Sequence, residues 1–339
     1  MKQKIQKCLS VKQYFLLKKL KNHYSNKKVY LNDFIRFMNS SFEYNLSQKN
    51  IEARIIMNYH SIEKGMTNRK VRFGFGKKAI SNLIENLIYY NKEFASIPSS
   101  SYRAGIDILK KYIQLHELSN YDVLDLKKQL ENLIEYDNLT ESYKDEITDT
   151  EIYNLKNVDF FHFSSARHSI RDFSEKLIEQ TELLKALKIA DSTPSACNRQ
   201  PWRVYIFQNR KTINEVLKIQ KGLNNYGENL STLLLVTCDF SYVQGINERN
   251  QPYIDSGMYS MNLLYSLQYM GFACCALNAS LSEKDEHELR EIAQLSSNEG
   301  LTMFIAVGYP NKINKITNSP SKNTDEYVRF IDKERSEQI

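Results

Sequence analysis

The sequence predicts an all-helical N-terminal region followed by a layered domain of the α/β or α+β class. Before residue 140, apolar residues recur at three- and four-residue spacings and show little strand pattern. From 140 to 157 the chain turns acidic and polar with weak periodicity. Beyond that, four short apolar runs of strand length alternate with helical stretches. The expected organisation is therefore a helical region over 1–140, a linker over 141–157 and a sheet-containing domain over 158–339.

Residues 1–22 form the first expected element, a basic amphipathic helix with Ile5, Leu9, Leu16 and Leu20 near one face. We read it as docked on its own domain with its lysines in water, in preference to a helix lying on a membrane surface. Residues 30–60 continue the helical spacing through Phe34, Phe37 and Met38, then Ile51, Ile55, Ile56 and Tyr59. A basic loop, Asn68 to Gly76, leads into a helix over 77–94 carrying Ile80, Leu83, Ile84, Leu87 and Ile88. Gly74-Phe75-Gly76-Lys77-Lys78-Ala79 nearly matches a dinucleotide fingerprint, but no buried strand precedes it, so that reading is rejected. The loop is read as solvated, with a phosphate contact through Arg69 and Arg72 as the weaker alternative. A turn at Ile97-Pro98 and helices over 102–116 and 121–136 complete the region.

In the second half, a helix is expected over 180–191, with Leu183, Leu184 and Leu187 on one face. Trp202–Phe207 reads as a strand, and Thr212 as the cap of a short helix carrying Ile213, Val216 and Leu217. Leu233–Thr237, Phe272–Leu277 and Met303–Val307 are the other strands. Between them come a long helix over 253–270, stopped at Gly271, and one over 283–294 capped by Ser282.

The net charge of +6 and ordinary composition, 42% hydrophobic and 25% charged, do not mark a nucleic-acid binder. The five cysteines include no CxxC pair, and their odd number argues against a disulfide framework. Cys238, Cys274 and Cys275 have apolar neighbours and read as buried thiols of a reducing compartment. No apolar run approaches the roughly 18 residues of a membrane span, and no secretory core is present, so a cytoplasmic location is expected.

Two stretches carry chemistry. Arg167-His168-Ser169-Ile170-Arg171 sets two guanidinium groups and a hydroxyl on alternate positions, and in extended backbone these share a face. Such a donor set suits a phosphate monoester. Pro194-Ser195-Ala196-Cys197-Asn198-Arg199-Gln200-Pro201-Trp202 joins a helix to a strand and contains the single Trp. Its small residues allow close backbone approach, and Ser195, Asn198 and Gln200 offer donors and acceptors to the polar edge of a flat heterocycle. Cys197 has no base nearby in sequence and is read as a small packing residue. His162 and His168 lack metal-ligand spacing, and no metal is expected.

The order and spacing of these stretches resemble the nitroreductase family of FMN-dependent oxidoreductases, over about residues 158–330. The resemblance implies an α+β fold, a central and mostly antiparallel sheet wrapped by helices, in an intertwined homodimer with FMN at the interface. It implies that Arg167, Ser169 and Arg171, with His168 among them, hold the FMN phosphate and ribityl chain. Pro194, Ser195 and Asn198, with Ala196 and Gln200, would reach the flavin from the partner subunit. The stretch Ile254 to Leu264 resembles the family's interface helix, where Asp255 is read as hydrogen-bonding. Gly271 to Ala279 resembles the strand whose end meets the flavin, with backbone groups of Leu277, Asn278 and Ala279 near N5 and O4. Lys322 stands where the family has a cation for the phosphate.

No side chain is expected to be catalytic, since flavin N5 carries the chemistry, with NAD(P)H as co-substrate and an electron-poor small molecule as acceptor. Tyr59-His60-Ser61-Ile62-Glu63-Lys64-Gly65, taken with Cys274-Cys275-Ala276-Leu277-Asn278, resembles a subgroup found with bacterial polysaccharide-biosynthesis enzymes. His60 and Glu63 are read as helix-surface residues in preference to substrate contacts. The rival functions are an FMN-dependent dehydrogenase or oxidase of a glycan or peptide precursor, and a non-catalytic dimeric flavin-binding protein.

Overall fold

The computed structural model describes residues 10–94, 99–131, 133, 146–223, 226–317 and 319–331. Residues 1–9 of the expected first helix, the Ile97-Pro98 turn, and residues 132 and 134–145 lie outside them. The first described helix, α1 (Val11–Ser40), runs unbroken where two separate pieces were expected, because no Gly or Pro interrupts it. Ser10 caps it through a reciprocal box with Gln13.

The remaining helices of the first half, α2 (Gln48–Met66), α3 (Lys77–Phe94), α4 (Ser100–Glu117) and α5 (Leu124–Glu131), share their own core. Ile51, Ile55 and Ile62 of α2 meet Leu83 and Leu87 of α3 and Leu109 of α4, all fully buried. That core is closed by its own residues, so the apolar stripe of α1 is not docked as expected. Leu16, Leu20 and Phe34 remain 58%, 63% and 58% exposed. What ties α1 down is a bidentate pair, Arg249 donating to both carboxylate oxygens of Asp33 at 2.6 and 2.9 Å.

The linker expected over 141–157 carries structure from residue 146 onward. Strand β1 (Glu146–Thr148) pairs antiparallel with a strand near the C-terminus, Ile313–Lys315, and α6 (Asp149–Asn154) follows under a Thr148 cap. A short helix, α7 (Phe160–Ser165), precedes the Arg167–Arg171 segment. Helix α8 (Gln180–Ala190) leads through the Pro194–Pro201 loop into β2 (Trp202–Phe207), with the predicted strand bounds. Helix α9 (Arg210–Gln220) starts two residues before Thr212, and its cap is Asn209, which accepts from Lys211 N and Thr212 N.

The main sheet adds β3 (Thr232–Asp239), β4 (Ala273–Asn278) and β5 (Glu299–Gly308) in the order β2-β3-β5-β4, antiparallel throughout. The fold is thus α+β with a central antiparallel sheet flanked by helices and preceded by a helical region. Along β3 every residue but the last is buried, and alternate residues enter two cores. Leu233 and Leu235 join Phe304, Cys275 and Leu277 on one face. Leu234 and Val236 join Ile305 and Cys274 on the other, against α8 and α10 (Gln251–Tyr269). A strand covered on both faces needs no polar alternation, which is why Leu233–Thr237 is one apolar run. Helix α10 ends as predicted at Gly271, whose φ of +80° only glycine adopts cheaply. Phe272 N then donates to Leu267 O at 3.0 Å, and α11 (Glu283–Ala293) begins under the expected Ser282 cap. Among the described residues no helix is long and apolar enough to cross a membrane.

Candidate functional site

Arg167–Arg171 lies along the outer edge of β4, the last strand of the sheet, with Ile170 N donating to Cys274 O at 3.0 Å. Ile170 and Phe173 are buried in the core and hold the segment there. The side chains at 167, 169 and 171 all act on the Cys275 thiol, and Arg167 acts on Cys274 as well. Ser169 hydrogen-bonds that thiol, and the charges of Arg171 and Arg167 act on it. Burial nevertheless dominates and pushes the Cys275 thiol up. Burial likewise pushes the neighbouring Cys274 up to about 12.

Arg171 is only 7% exposed. It donates to Ser169 O at 3.3 Å and to the Thr317 hydroxyl at 3.5 Å, while its Nε is buried without a hydrogen-bond partner among the described residues. An orphaned guanidinium N–H costs roughly 1–3 kcal/mol unless something outside the chain accepts from it. Arg167, His168 and Ser169 are half-buried.

A fourth donor was not foreseen. Lys64, near the end of α2, points its Nζ to Gly222 O at 3.5 Å. Burial, and then the Arg171 charge, hold its amine below the usual lysine range. Its backbone is fixed from the sheet domain: the Tyr226 hydroxyl donates to Lys64 O and lies 3.1 Å from the Thr67 hydroxyl. Gly65 is needed here, since a Cβ would meet the Phe75 ring at 2.0 Å. No motif in the sequence pairs Lys64 with Arg171, 107 residues later, and only the packing of α2 on the sheet domain brings them together.

The Pro194–Gln200 loop sits elsewhere. It leads into β2, the opposite edge strand. Three strand spacings, about 14 Å, separate that edge from β4. Cys197, Asn198 and Gln200 have φ of 52°, 54° and 50°. Asn tolerates that region, whereas Cys and Gln are strained there. Asp255, 2% exposed, pins the loop by accepting from Ala196 N at 3.2 Å and from Gln251 Nε2 at 2.8 Å. Arg199 ties it to Glu248 at 2.7 Å and to Tyr242 O at 2.8 Å. Inside the loop, Gln200 N donates to Ser195 Oγ at 3.0 Å and Gln200 Nε2 to Asn198 Oδ1 at 2.9 Å. Pro194, Cys197, Asn198 and Gln200 are exposed, so Cys197 is not the packing residue expected. Trp202 stacks on Tyr259 of α10 at 4.7 Å.

Leu277, Asn278 and Ala279 end β4, on the same edge as the cationic segment. Gln220 Nε2 donates to Asn278 O at 3.1 Å. Lys322 is drawn to α2 instead, its Nζ 3.8 Å from the buried Glu52 carboxylate. His60 and Glu63 belong to the same arrangement. Glu63 accepts from Ser319 N at 2.9 Å and from Ser319 Oγ at 3.0 Å, and His60 Nδ1 lies 3.3 Å from that hydroxyl. They clasp the C-terminal segment to α2, which differs from both the helix-surface and the substrate-contact reading. Burial alone would raise the Glu63 pKa; the bonds from His60 and Ser319 outweigh it and hold the carboxyl below its ordinary range.

The basic loop after α2 is not simply solvated. Arg69, Lys70 and Arg72, with Arg210 and Lys218 of α9, line a cavity of about 1010 Å³. Arg69 is already engaged there by Asp172 and by Asn311 Oδ1 at 3.3 Å.

Residues 165–237 match the model of the Nitroreductase family. The match takes in the Arg167–Arg171 segment, the loop and the first two strands of the sheet. Over 152 residues, 42% of this chain and 81% of the relative, it is 26% identical to a protein of Archaeoglobus fulgidus named for NADH dehydrogenase/NAD(P)H nitroreductase. It is 23% identical to an iodotyrosine deiodinase of Thermotoga neapolitana over 165 residues, 44% of this chain and 88% of that one. Among solved structures, an FMN-dependent nitroreductase from Clostridium difficile R20291 is 18% identical with a TM-score of 0.43, covering 51% of this chain and 99% of its own.

Proposed function

We propose that the chain is an FMN-dependent oxidoreductase that takes reducing equivalents from NAD(P)H and delivers them to an electron-poor small molecule. The observation that carries this reading is the donor cluster on the edge of β4. Arg167, Ser169 and Arg171 lie there along one segment bonded to β4, and the buried Nε of Arg171 has no acceptor among the described residues. A phosphate monoester supplies both the charge and the acceptor oxygens that such a set lacks. The residues present therefore fit the cofactor.

When bound, FMN supplies a two-electron carrier, which is why the chain needs no acid–base pair of its own. Arg167, Ser169 and Arg171 hold its phosphate and ribityl chain, with His168 in the same segment. The end of β4 lies beside them as an edge strand, where backbone groups of Leu277, Asn278 and Ala279 would meet the flavin ring. A backbone N–H from that stretch would donate to the polar edge of the flavin and favour negative charge there. Pro194, Ser195, Ala196, Asn198 and Gln200 sit on the far edge, too distant to serve the same flavin, and so act on the site of a second copy. This supports a homodimer with one flavin at each of two equivalent interface sites.

The direction of electron flow is taken from the relatives. Nitro reduction and the removal of iodide from an aromatic ring both consume electrons, which favours a reductase over a dehydrogenase. The likeness of Tyr59–Gly65, with Cys274–Asn278, to the polysaccharide-associated subgroup supports an acceptor linked to polysaccharide biosynthesis, and the cytoplasmic location is kept from the sequence reading. The helical region over 1–140 and the domain over 158–339 act as the functional units, and the segment between them carries β1 and α6 from residue 146 onward.

Purified protein should be yellow and release FMN on denaturation, and NADH or NADPH should bleach the bound flavin in stopped flow. Colourless protein that ignores added FMN in a fluorescence titration overturns the reading.

A further inference from the structure

The helical region reaches into the cation cluster through one residue. Tyr226, whose hydroxyl holds the backbone of Lys64, lines with Thr67 and Arg171 one cavity of about 390 Å³, and the Lys64 Nζ has a single hydrogen bond among the described residues, to Gly222 O. Lys64 and Arg171 are both cationic, and Arg171 is almost fully buried. Among the described residues neither forms an ion pair, while Arg69 alongside is neutralised by Asp172. Two like charges brought together away from solvent repel each other, and such an arrangement persists when an anion is meant to lie between them. The cation expected from the C-terminal segment is elsewhere, since Lys322 is held by Glu52 of the same helix.

We propose that Lys64 is a cofactor-binding residue, contributed by the helical region, that joins Arg167, Ser169 and Arg171 in holding the phosphate of FMN. The proposal rests on the flavin reading above. It gives the helical region a role in that site: α2 delivers the phosphate cation and, through Glu52, Glu63 and His60, fastens the C-terminal segment that would otherwise supply one. Tyr226 is the positioning residue, because its hydroxyl fixes the backbone at Lys64 and Thr67.

The test compares FMN with riboflavin, which lacks only the phosphate, by quenching of flavin fluorescence on the full-length apoprotein. Wild type should prefer FMN. Lys64→Met should lose at least about tenfold in FMN affinity and nothing for riboflavin, since a charge-assisted contact to phosphate is absent from one ligand. Lys64→Arg should keep most of the preference. FMN should also raise the melting temperature of Lys64→Met by less than that of wild type. Should Lys64→Met not fold, Lys64→Gln serves, and the apoprotein melt reports which case applies. An unchanged FMN-to-riboflavin ratio in the folded variant overturns the assignment of Lys64. A wild-type protein that binds both flavins equally overturns the phosphate site itself, and one that binds neither overturns the flavin reading.

Discussion

Arg167–Arg171 and Pro194–Gln200 occupy opposite edges of one sheet, and they differ in how they are held. The first is extended backbone hydrogen-bonded to β4, with Arg171 buried and its Nε lacking an acceptor among the described residues. The second is an exposed loop with three consecutive or near-consecutive residues in the left-handed region, pinned from below by Asp255 and Arg199. One is a set of donors around a buried cation; the other is a strained projection held by its own hydrogen bonds. Strain held this firmly is a feature that functional loops retain and ordinary connectors relax. The pairing makes sense if each completes the site of another copy.

The largest effect expected is on the cluster. Arg167→Ala with Arg171→Ala should weaken FMN binding more than about 100-fold, because each charge-assisted contact contributes about 1.5–3 kcal/mol. The apoprotein should melt no lower, since removing Arg171 also removes the like charge facing Lys64. A fluorescence titration that finds unchanged affinity would show the phosphate to be elsewhere.

Mixed dimers break the comparison more directly. A subunit carrying the double Arg change has a good loop and a bad cluster; one with Ser195→Ala and Asn198→Ala has the reverse. Refolded together at equal amounts, they should regain about a quarter of the wild-type flavin sites, because half the dimers are mixed and each mixed dimer has one intact site. No regain over either parent would mean that the loop serves its own chain.

Much of this architecture was legible in the sequence. Trp202–Phe207 was placed correctly because Pro201 and the polar Gln208-Asn209 bound it, and α10 ended where Gly271 had to be glycine. The grouping expected of Arg167, Ser169 and Arg171 rests on a local rule, the alternation of side chains along extended backbone, and the segment does run extended beside β4. What stayed hidden depends on tertiary contact. Lys64 meets Arg171 only because α2 packs on the sheet domain, and Lys322 meets Glu52 for the same reason. The clasp of Glu63 and His60 on Ser319 joins residues about 256 apart, beyond any periodicity. The exposed stripe of α1 was misplaced because amphipathicity reports that a face is apolar and not what covers it.

Asp255→Ala should act on the loop alone. It leaves Ala196 N without its acceptor, at a cost of about 1–3 kcal/mol in urea unfolding. FMN affinity should fall in the dimer while the Arg171 side of the site stays intact. The α2 clasp supplies a contrasting pH test. Glu63 has its folded pKa below the ordinary glutamate value, so the stability it contributes is present above the unfolded pKa and is lost as pH falls through the folded one. Urea midpoints should therefore drop between neutral pH and the range below about 4.3, the unperturbed glutamate value. Glu63→Gln should flatten that drop. A variant with the wild-type acid profile would place the titrating group elsewhere.

The smallest effect probes the strain itself. Cys197 at φ 52° costs about 1–2 kcal/mol relative to a relaxed backbone. Glycine removes that cost but gives back about 0.5–1 kcal/mol through the greater freedom of its unfolded chain. Cys197→Gly should thus leave the unfolding free energy unchanged or raise it by up to about 1.5 kcal/mol, the two contributions partly cancelling. Cys197→Val, whose branched Cβ is the least tolerant of positive φ, should destabilise instead. Equal stability of the two variants would mean that the loop relaxes freely, and the contrast between a rigid loop and a fixed cluster would fail. Cys197→Gly also carries a second readout. If it bleaches with NADH or NADPH as wild type does, the thiol at the tip of the loop takes no part in the chemistry, and the loop acts through its shape.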